Sequence, residues 1–309
     1  MSYADINGTV DLSGTVFEGS VSFAGATFRP KESASDGAAE ASFAGATFKS
    51  EASFQDAAFD VPGGFAGTTF EARASFAGAR SEKILSFNKT TFESVSVFRK
   101  TVFKSVADFG FAVFRDGAVF DKATFADAAV PGTGALEPVA RFEGATFETG
   151  ASFSLSTFEV ETDFSFVTFA GKARFGSSTF GAETDFASAT FGSDADFKMS
   201  AFAASVSFSA ASFSGTADFG SMTLSDQRFD GADLTDADFT GATLHRADFE
   251  SALLSRATLF GADLRGARLS GAVMGDVRVD EGTRFLGHPG DDSGSPHTLS
   301  AIRASQPCV

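Results

Sequence analysis

The sequence of this 309-residue chain predicts an all-β repeat body, elongated rather than globular. Three observations carry that expectation. Phe recurs at Phe142, Phe147, Phe153, Phe158, Phe164, Phe169, Phe175 and Phe180 and on to Phe219, in steps that alternate between five and six. From Leu224 the rule changes, and Phe229, Leu234, Phe239, Leu244 and Phe249 begin a series with a large apolar residue at every fifth position. Finally, there are forty Phe against one Tyr and no Trp, a skew no ordinary globular domain shows. A five-residue period fits neither an amphipathic helix nor a strand of usual length. It suits a chain that turns a corner after each short extended segment, and such repeats stack into one elongated body.

The rhythm starts at Ile6 and runs through Leu12, Phe17, Phe23 and Phe28. Residues 29–41 interrupt it with a polar, charged insertion, read as a surface loop. Loops often carry function, so Arg29, Lys31, Glu32 and Asp36 are candidate contacts. The ruler resumes at Phe43. Position 81 should be apolar and holds Ser81, with Ile84 and Leu85 nearby, yet Phe87 restores the register. Counting six, five and six from Phe125 passes Pro131 and Leu136 and lands on Phe142. Residues 126–141 are therefore read as one degraded repeat, and 1–279 as a single domain. Residues 280–309 form a C-terminal tail or short cap.

Within one unit, Ala232-Asp233-Leu234-Thr235-Asp236, Leu234 points inward and Ala232 shares its side, by the two-residue alternation of extended backbone. Asp233 points out, and the next two residues turn. The inward rings should form a Phe ladder, stacked with an offset. Each fully buried Phe contributes roughly 1.5–3 kcal/mol before entropy costs.

Residues 231–244, Gly-Ala-Asp-Leu-Thr-Asp-Ala-Asp-Phe-Thr-Gly-Ala-Thr-Leu, and 260–269, Phe-Gly-Ala-Asp-Leu-Arg-Gly-Ala-Arg-Leu, resemble the pentapeptide-repeat family, whose unit is written A(D/N)LXX. The match is specific over 229–279. Over 6–224 the chain looks like the family's Phe-rich variant, with an extra residue at every second corner. The resemblance implies a right-handed quadrilateral β-helix with four units per coil, twenty-two residues per coil in the first part and twenty in the second. About 12 coils at ~4.8 Å each give a single rod about 60 Å long.

Chemistry-bearing motifs are missing. The three histidines, His245, His288 and His297, form no metal pattern, and no HExxH, GxSxG, CxxC or Walker-type string occurs. The expectation is a non-enzyme without cofactor, metal or small-molecule substrate. Apolar residues come singly, so no membrane span is expected. Cys308 alone makes no disulfide framework, and the first residues lack signal-peptide character, so a cytoplasmic protein is expected.

Charge is more informative. The net charge is −16, and over 161–263 fifteen acids face six bases, whereas over 71–125 six acids face nine bases. Four units per coil place Asp196, Asp218 and Asp238 on one face and Asp163, Asp185 and Asp248 on the opposite one. Two functions stay open. The first is a macromolecular-interaction scaffold that meets a protein partner through the acidic surface. The second comes from the resemblance, because the family implies an acidic rod that imitates duplex DNA, binds gyrase or another topoisomerase and protects it from quinolones or peptide toxins. Direct nucleic-acid binding is disfavoured by the net charge, and a homo-oligomer through a rod end is compatible with either reading. Outward Thr47, Thr69, Thr157, Thr179, Thr223 and Thr243 are expected on one face as a ladder, reflecting β-propensity.

Overall fold

The computed structural model describes residues 3–31, 39–126 and 139–285. Within these the chain winds as a four-sided parallel β-helix. The first coil comprises β1 (Asp5–Asn7), β2 (Val10–Asp11), β3 (Val16–Phe17) and β4 (Val21–Ser22), one strand on each face. Each of these begins a nine-stranded sheet, so four sheets form the four walls. The last strands are Ala201–Phe202, Val206–Ser207, Ser212–Phe213 and Ala217–Asp218. Beyond them single parallel bridges continue every face, reaching Arg284, Arg268, Val273 and Arg278 on the first to fourth faces.

The corners account for the two periods. Thr69 pairs with Thr91, twenty-two residues on, and Asp218 pairs with Asp238, twenty on. From the second face to the third, and from the fourth to the first, the chain makes a tight turn. At one of these the Ala46 N–H donates to the Phe43 carbonyl at 3.0 Å, with Gly45 at φ 65°. The other two corners carry the extra residue until residue 219, after which all four are tight. A left-handed residue is needed at each tight turn, and several are not glycine, among them Lys100, Phe111, Leu155, Phe166 and Met199. Each such residue carries roughly 1–2 kcal/mol of backbone strain.

Inside, the eight Phe from Phe142 to Phe180 are fully buried. Rings stack along each face, and those of the opposite second and fourth faces meet edge-on. Phe142 and Phe164 stack at 4.6 Å and 10°, while Phe142 and Phe153 meet at 5.4 Å and 89°. At three positions where Ser replaces the small inward Ala, its hydroxyl is satisfied by an earlier carbonyl, whereas that of Ser96, between Ala74 and Ala118, is buried without a partner among the described residues. Ser156, Ser178 and Ser200 donate to the carbonyls of Phe120, Phe153 and Phe175 at 2.6–2.7 Å, which removes the cost of burying them. Ser81 keeps its place in the first face, pairing with Phe59 and Phe103 as neighbours. Its hydroxyl donates to the Lys83 carbonyl. Leu85, buried, turns a methyl over Gly63, whose own added Cβ would stand 2.4 Å from Leu85 Cδ1 and 3.1 Å from the Phe59 ring. The missing ring is thus offset by a neighbour's branched side chain.

The register corrects the reading of residues 126–141. Ala107 pairs with Ala140, thirty-three residues on where twenty-two is the rule, and Phe109 stacks directly on Phe142 at 4.9 Å and 2°. Phe125 and Phe142 stand on consecutive faces, 5.8 Å apart. The coil closes without Pro131 and Leu136, which lie outside the described residues. The segment is an eleven-residue insertion at the corner between the first and second faces, not a degraded repeat. Val10 pairs with Ala41, thirty-one residues on, so the first insertion adds nine residues at that same corner. The misread half-turn also splits the expected Thr ladder. Thr47 and Thr69 lie on the third face, while Thr157, Thr179, Thr223 and Thr243 lie on the first.

Candidate interaction face

Asp196, Asp218 and Asp238 do share one face. Asp196 is the register partner of Asp218 and Asp218 of Asp238, on three successive coils of the fourth sheet. Each occupies the outward position between an inward Ala and an inward Phe, so strand alternation alone directs it to solvent. Each also closes its own turn. One carboxylate oxygen accepts the backbone N–H two residues on, from Lys198 at 3.0 Å, Gly220 at 3.0 Å and Thr240 at 2.8 Å. The second oxygen takes no part in that turn. On Asp218 it takes Lys198 Nζ at 3.2 Å, and this bond, with Asp196 and Asp238 nearby, raises the Lys198 pKa. The face is therefore three carboxylates with one ammonium among them, bounded by Arg174 before Asp196 and, past Thr258, by Arg278.

Beside it runs a shallow groove of about 570 Å³, lined in part by Asp194, Asp236, Asp238 and Arg278. Two of its acids are engaged. Asp194 pairs with Lys172 at 3.5 Å, and Asp236 is gripped by Arg256 through two hydrogen bonds of 2.8 and 2.5 Å. These bonds hold the Asp236 carboxyl below its ordinary value. The second face carries Asp163 and Asp185 as register partners. Further on it alternates sign, Arg228, Asp248 and Arg268 following one another.

About half of the basic belt of 71–125 is paired. Arg80 and Lys104 both reach Glu82 at 2.9 Å, Arg99 reaches Asp121 at 3.3 Å, and Arg115 lies between Glu93 and Glu148. Hydrogen bonding from Lys104 lowers the Glu82 pKa. Of the loop candidates, Arg29 is tied to Asp5 at 3.1 Å and Lys31 is exposed. Glu32 and Asp36 lie outside the described residues. His245 sits on the surface with Nε2 2.9 Å from Asp263. Among the described residues no cluster of His, Cys, Asp or Glu could hold a metal ion, and no helix is long and apolar enough to cross a membrane.

Two exposed aromatics escaped the sequence reading. Phe111 and Phe166 stand half or more exposed at the same tight corner, with Gly144 between them; the Phe111 ring covers that glycine. Their signal was available, because each is a second Phe two residues after an inward one and so must fall on the turn.

The family model for pentapeptide repeats matches eight copies, over residues 217–256 and 251–276. Residues 217–276 are pentapeptide repeats. The Phe-rich part before Ala217 forms the same four walls. Among solved structures, Rfr23 from the cyanobacterium Cyanothece 51142 is 22% identical over 34% of this chain and 64% of its own, with a TM-score of 0.25. The chain thus spans less than two thirds of Rfr23. HetL of Nostoc sp. strain PCC 7120, involved in heterocyst differentiation regulation, is 16% identical over 82% of this chain and 89% of its own, at a TM-score of 0.28. QnrB1, a plasmid-mediated fluoroquinolone resistance protein, is 14% identical over 99% of this chain and 100% of its own, at 0.22. No curated protein matches the chain.

Proposed function

We propose that this protein is a non-enzymatic pentapeptide-repeat scaffold whose fourth face, through Asp196, Asp218 and Asp238, docks in a basic groove of a protein partner. The observation that carries the reading is the in-register column of three outward carboxylates on successive coils. Their spacing of ~4.8 Å per coil is fixed by the backbone ladder, so no ordering cost falls on the array when a partner binds. Complementary charge of this kind speeds and orients association more than it tightens it. Reversal of all three to Lys should slow capture of the partner, and the wild-type association rate should fall with salt. A partner whose binding is indifferent to both changes refutes the reading.

The second reading, imitation of duplex DNA toward a type II topoisomerase, draws on charge density. The fourth and second faces together offer about one carboxylate per 2.4 Å of axis where both carry Asp, since each coil rises ~4.8 Å. Duplex DNA carries one charge per ~1.7 Å. The ammonium of Lys198 lowers the rod's figure. A gyrase supercoiling and cleavage assay with ciprofloxacin decides it: protection that is lost in the triple Lys variant supports imitation. Unchanged inhibition and cleavage in the presence of the wild-type chain exclude it.

A further inference from the structure

Both ends of the described rod are open. Among the described residues β1, β2, β3 and β4 are hydrogen-bonded on one edge only. Behind them Ile6, Leu12 and Phe17 are only partly covered, as are Leu269, Met274, Val279 and Phe285 at the far end. Unpaired sheet edges over apolar side chains are templates for another strand.

The outward strand positions at the two ends carry opposite charge. Residues 3–22 contain Asp5, Asp11 and Glu18 and no Lys or Arg. At the far end the last outward strand positions hold Arg284, Arg268 and Arg278 on three faces and Val273 on the other. Asp276, Asp280 and Glu281 lie in the same last coil, so its positive character is confined to the outward strand positions.

We propose that the C-terminal end of one copy docks on the N-terminal end of a second copy, head to tail, so that the four sheets run on from one molecule into the next. The winding sets the register. Both β1 and the last bridge, at Arg284, lie on the first face, so the next strand of an uninterrupted helix falls on the second face. The copies then meet with a quarter turn between them, which sets Asp5 of the second copy beside Arg268. That face already alternates sign. Arg268 is 2.9 Å from Asp248, Asp248 is the register partner of Arg228, and Asp5 is 3.1 Å from Arg29. Joined, the column reads Arg228, Asp248, Arg268, then Asp5 and Thr27 of the second copy, with Arg29 bonded to Asp5 from two residues beyond Thr27. The backbone continues in the same sense. The Phe249 N–H donates to the Arg268 carbonyl at 2.8 Å, and one coil later the Leu269 N–H meets the carbonyl of Asp5. A head-to-tail contact does not close on itself, so growth is open-ended.

Sedimentation velocity of the full chain over a concentration series tests this. The expected result is a mass that keeps rising past the dimer. Arg268→Asp and Asp5→Arg should each weaken association at least about tenfold, the scale of a close interfacial charge pair. An equimolar mixture of the two variants should recover it, because each junction between unlike variants pairs Asp with Arg, whereas like variants meet with like charges. Circular dichroism confirms that both variants remain folded. Should Arg268→Asp loosen the last coil through Asp248, Asp5→Arg reads the same junction from the other end. Three outcomes overturn the proposal. One is a monomer at every concentration, which would leave the end to residues 286–309 of the same chain. Another is a dimer indifferent to Asp5→Arg, as a symmetric contact between C-terminal ends would give. The third is no recovery on mixing.

Discussion

Phe164 and Phe186 lie parallel, ring centroids 4.8 Å apart with an interplanar angle of 0°. They are two steps in a column on the second face that runs from Phe43 to Phe249 with successive centroids 4.6–5.3 Å apart. That spacing follows the strand spacing of the wall, so ring stacking and backbone pairing reinforce one another. Phe164→Ala should cost about 3–5 kcal/mol, because flanking rings held by their own coils cannot collapse into the void. Phe164→Leu should cost far less, since Leu234 and Leu254 fill the inward position of the neighbouring third face further on without loss of burial. Urea denaturation followed by circular dichroism checks both.

A second test concerns Ser81 and Leu85. Ser81→Phe alone overpacks the space Leu85 fills and should cost about 1–3 kcal/mol. Leu85→Ala alone leaves a cavity and should cost about 2–5 kcal/mol. Together they restore the column, and the double variant should be more stable than the sum of the two losses by at least about 1 kcal/mol. Strict additivity would show that the two side chains do not share the space.

The third prediction is a pH dependence at the C-terminal end. Hydrogen bonds from Arg265, with His245 also bonded, hold the Asp263 carboxyl far below its usual range. A depressed carboxyl stabilises the folded state fully above its unfolded value near 4, and that contribution is lost as pH falls toward the folded value. Asp263→Asn should therefore speed hydrogen exchange at the Leu264 N–H, which donates to Arg284, at neutral pH. The difference from the wild type should shrink steadily below about pH 4. A constant difference across pH would place the effect elsewhere.

The sequence displayed most of this architecture and concealed one part of it for a definite reason. Inward Phe142 to Phe180, the two coil lengths and the shared face of Asp196, Asp218 and Asp238 were legible, because burial forces one large residue per wall at fixed spacing. The insertion at 126–141 was not, because it adds eleven residues, which is the period of the Phe rhythm itself. Phe142 falls in phase whether Pro131 and Leu136 are walls or not, and only the pairing of Ala107 with Ala140 separates the two. The same blindness put Thr47 and Thr157 on one face. Lys198 among the aspartates was likewise hidden, since its reach to Asp218 crosses twenty residues of chain.

The four-walled coil closing across residues 126–141 is tested most directly by a single cross-link. With Cys308 replaced by Ser, Asp108→Cys and Arg141→Cys should oxidise readily to an intramolecular disulfide. They are register partners on one face, and a spacing of ~4.8 Å between neighbouring strands lies within disulfide reach. The pair Asp108→Cys and Ser152→Cys, on opposite faces, should not link. Absence of the first link, or equal yields from both pairs, would contradict the account.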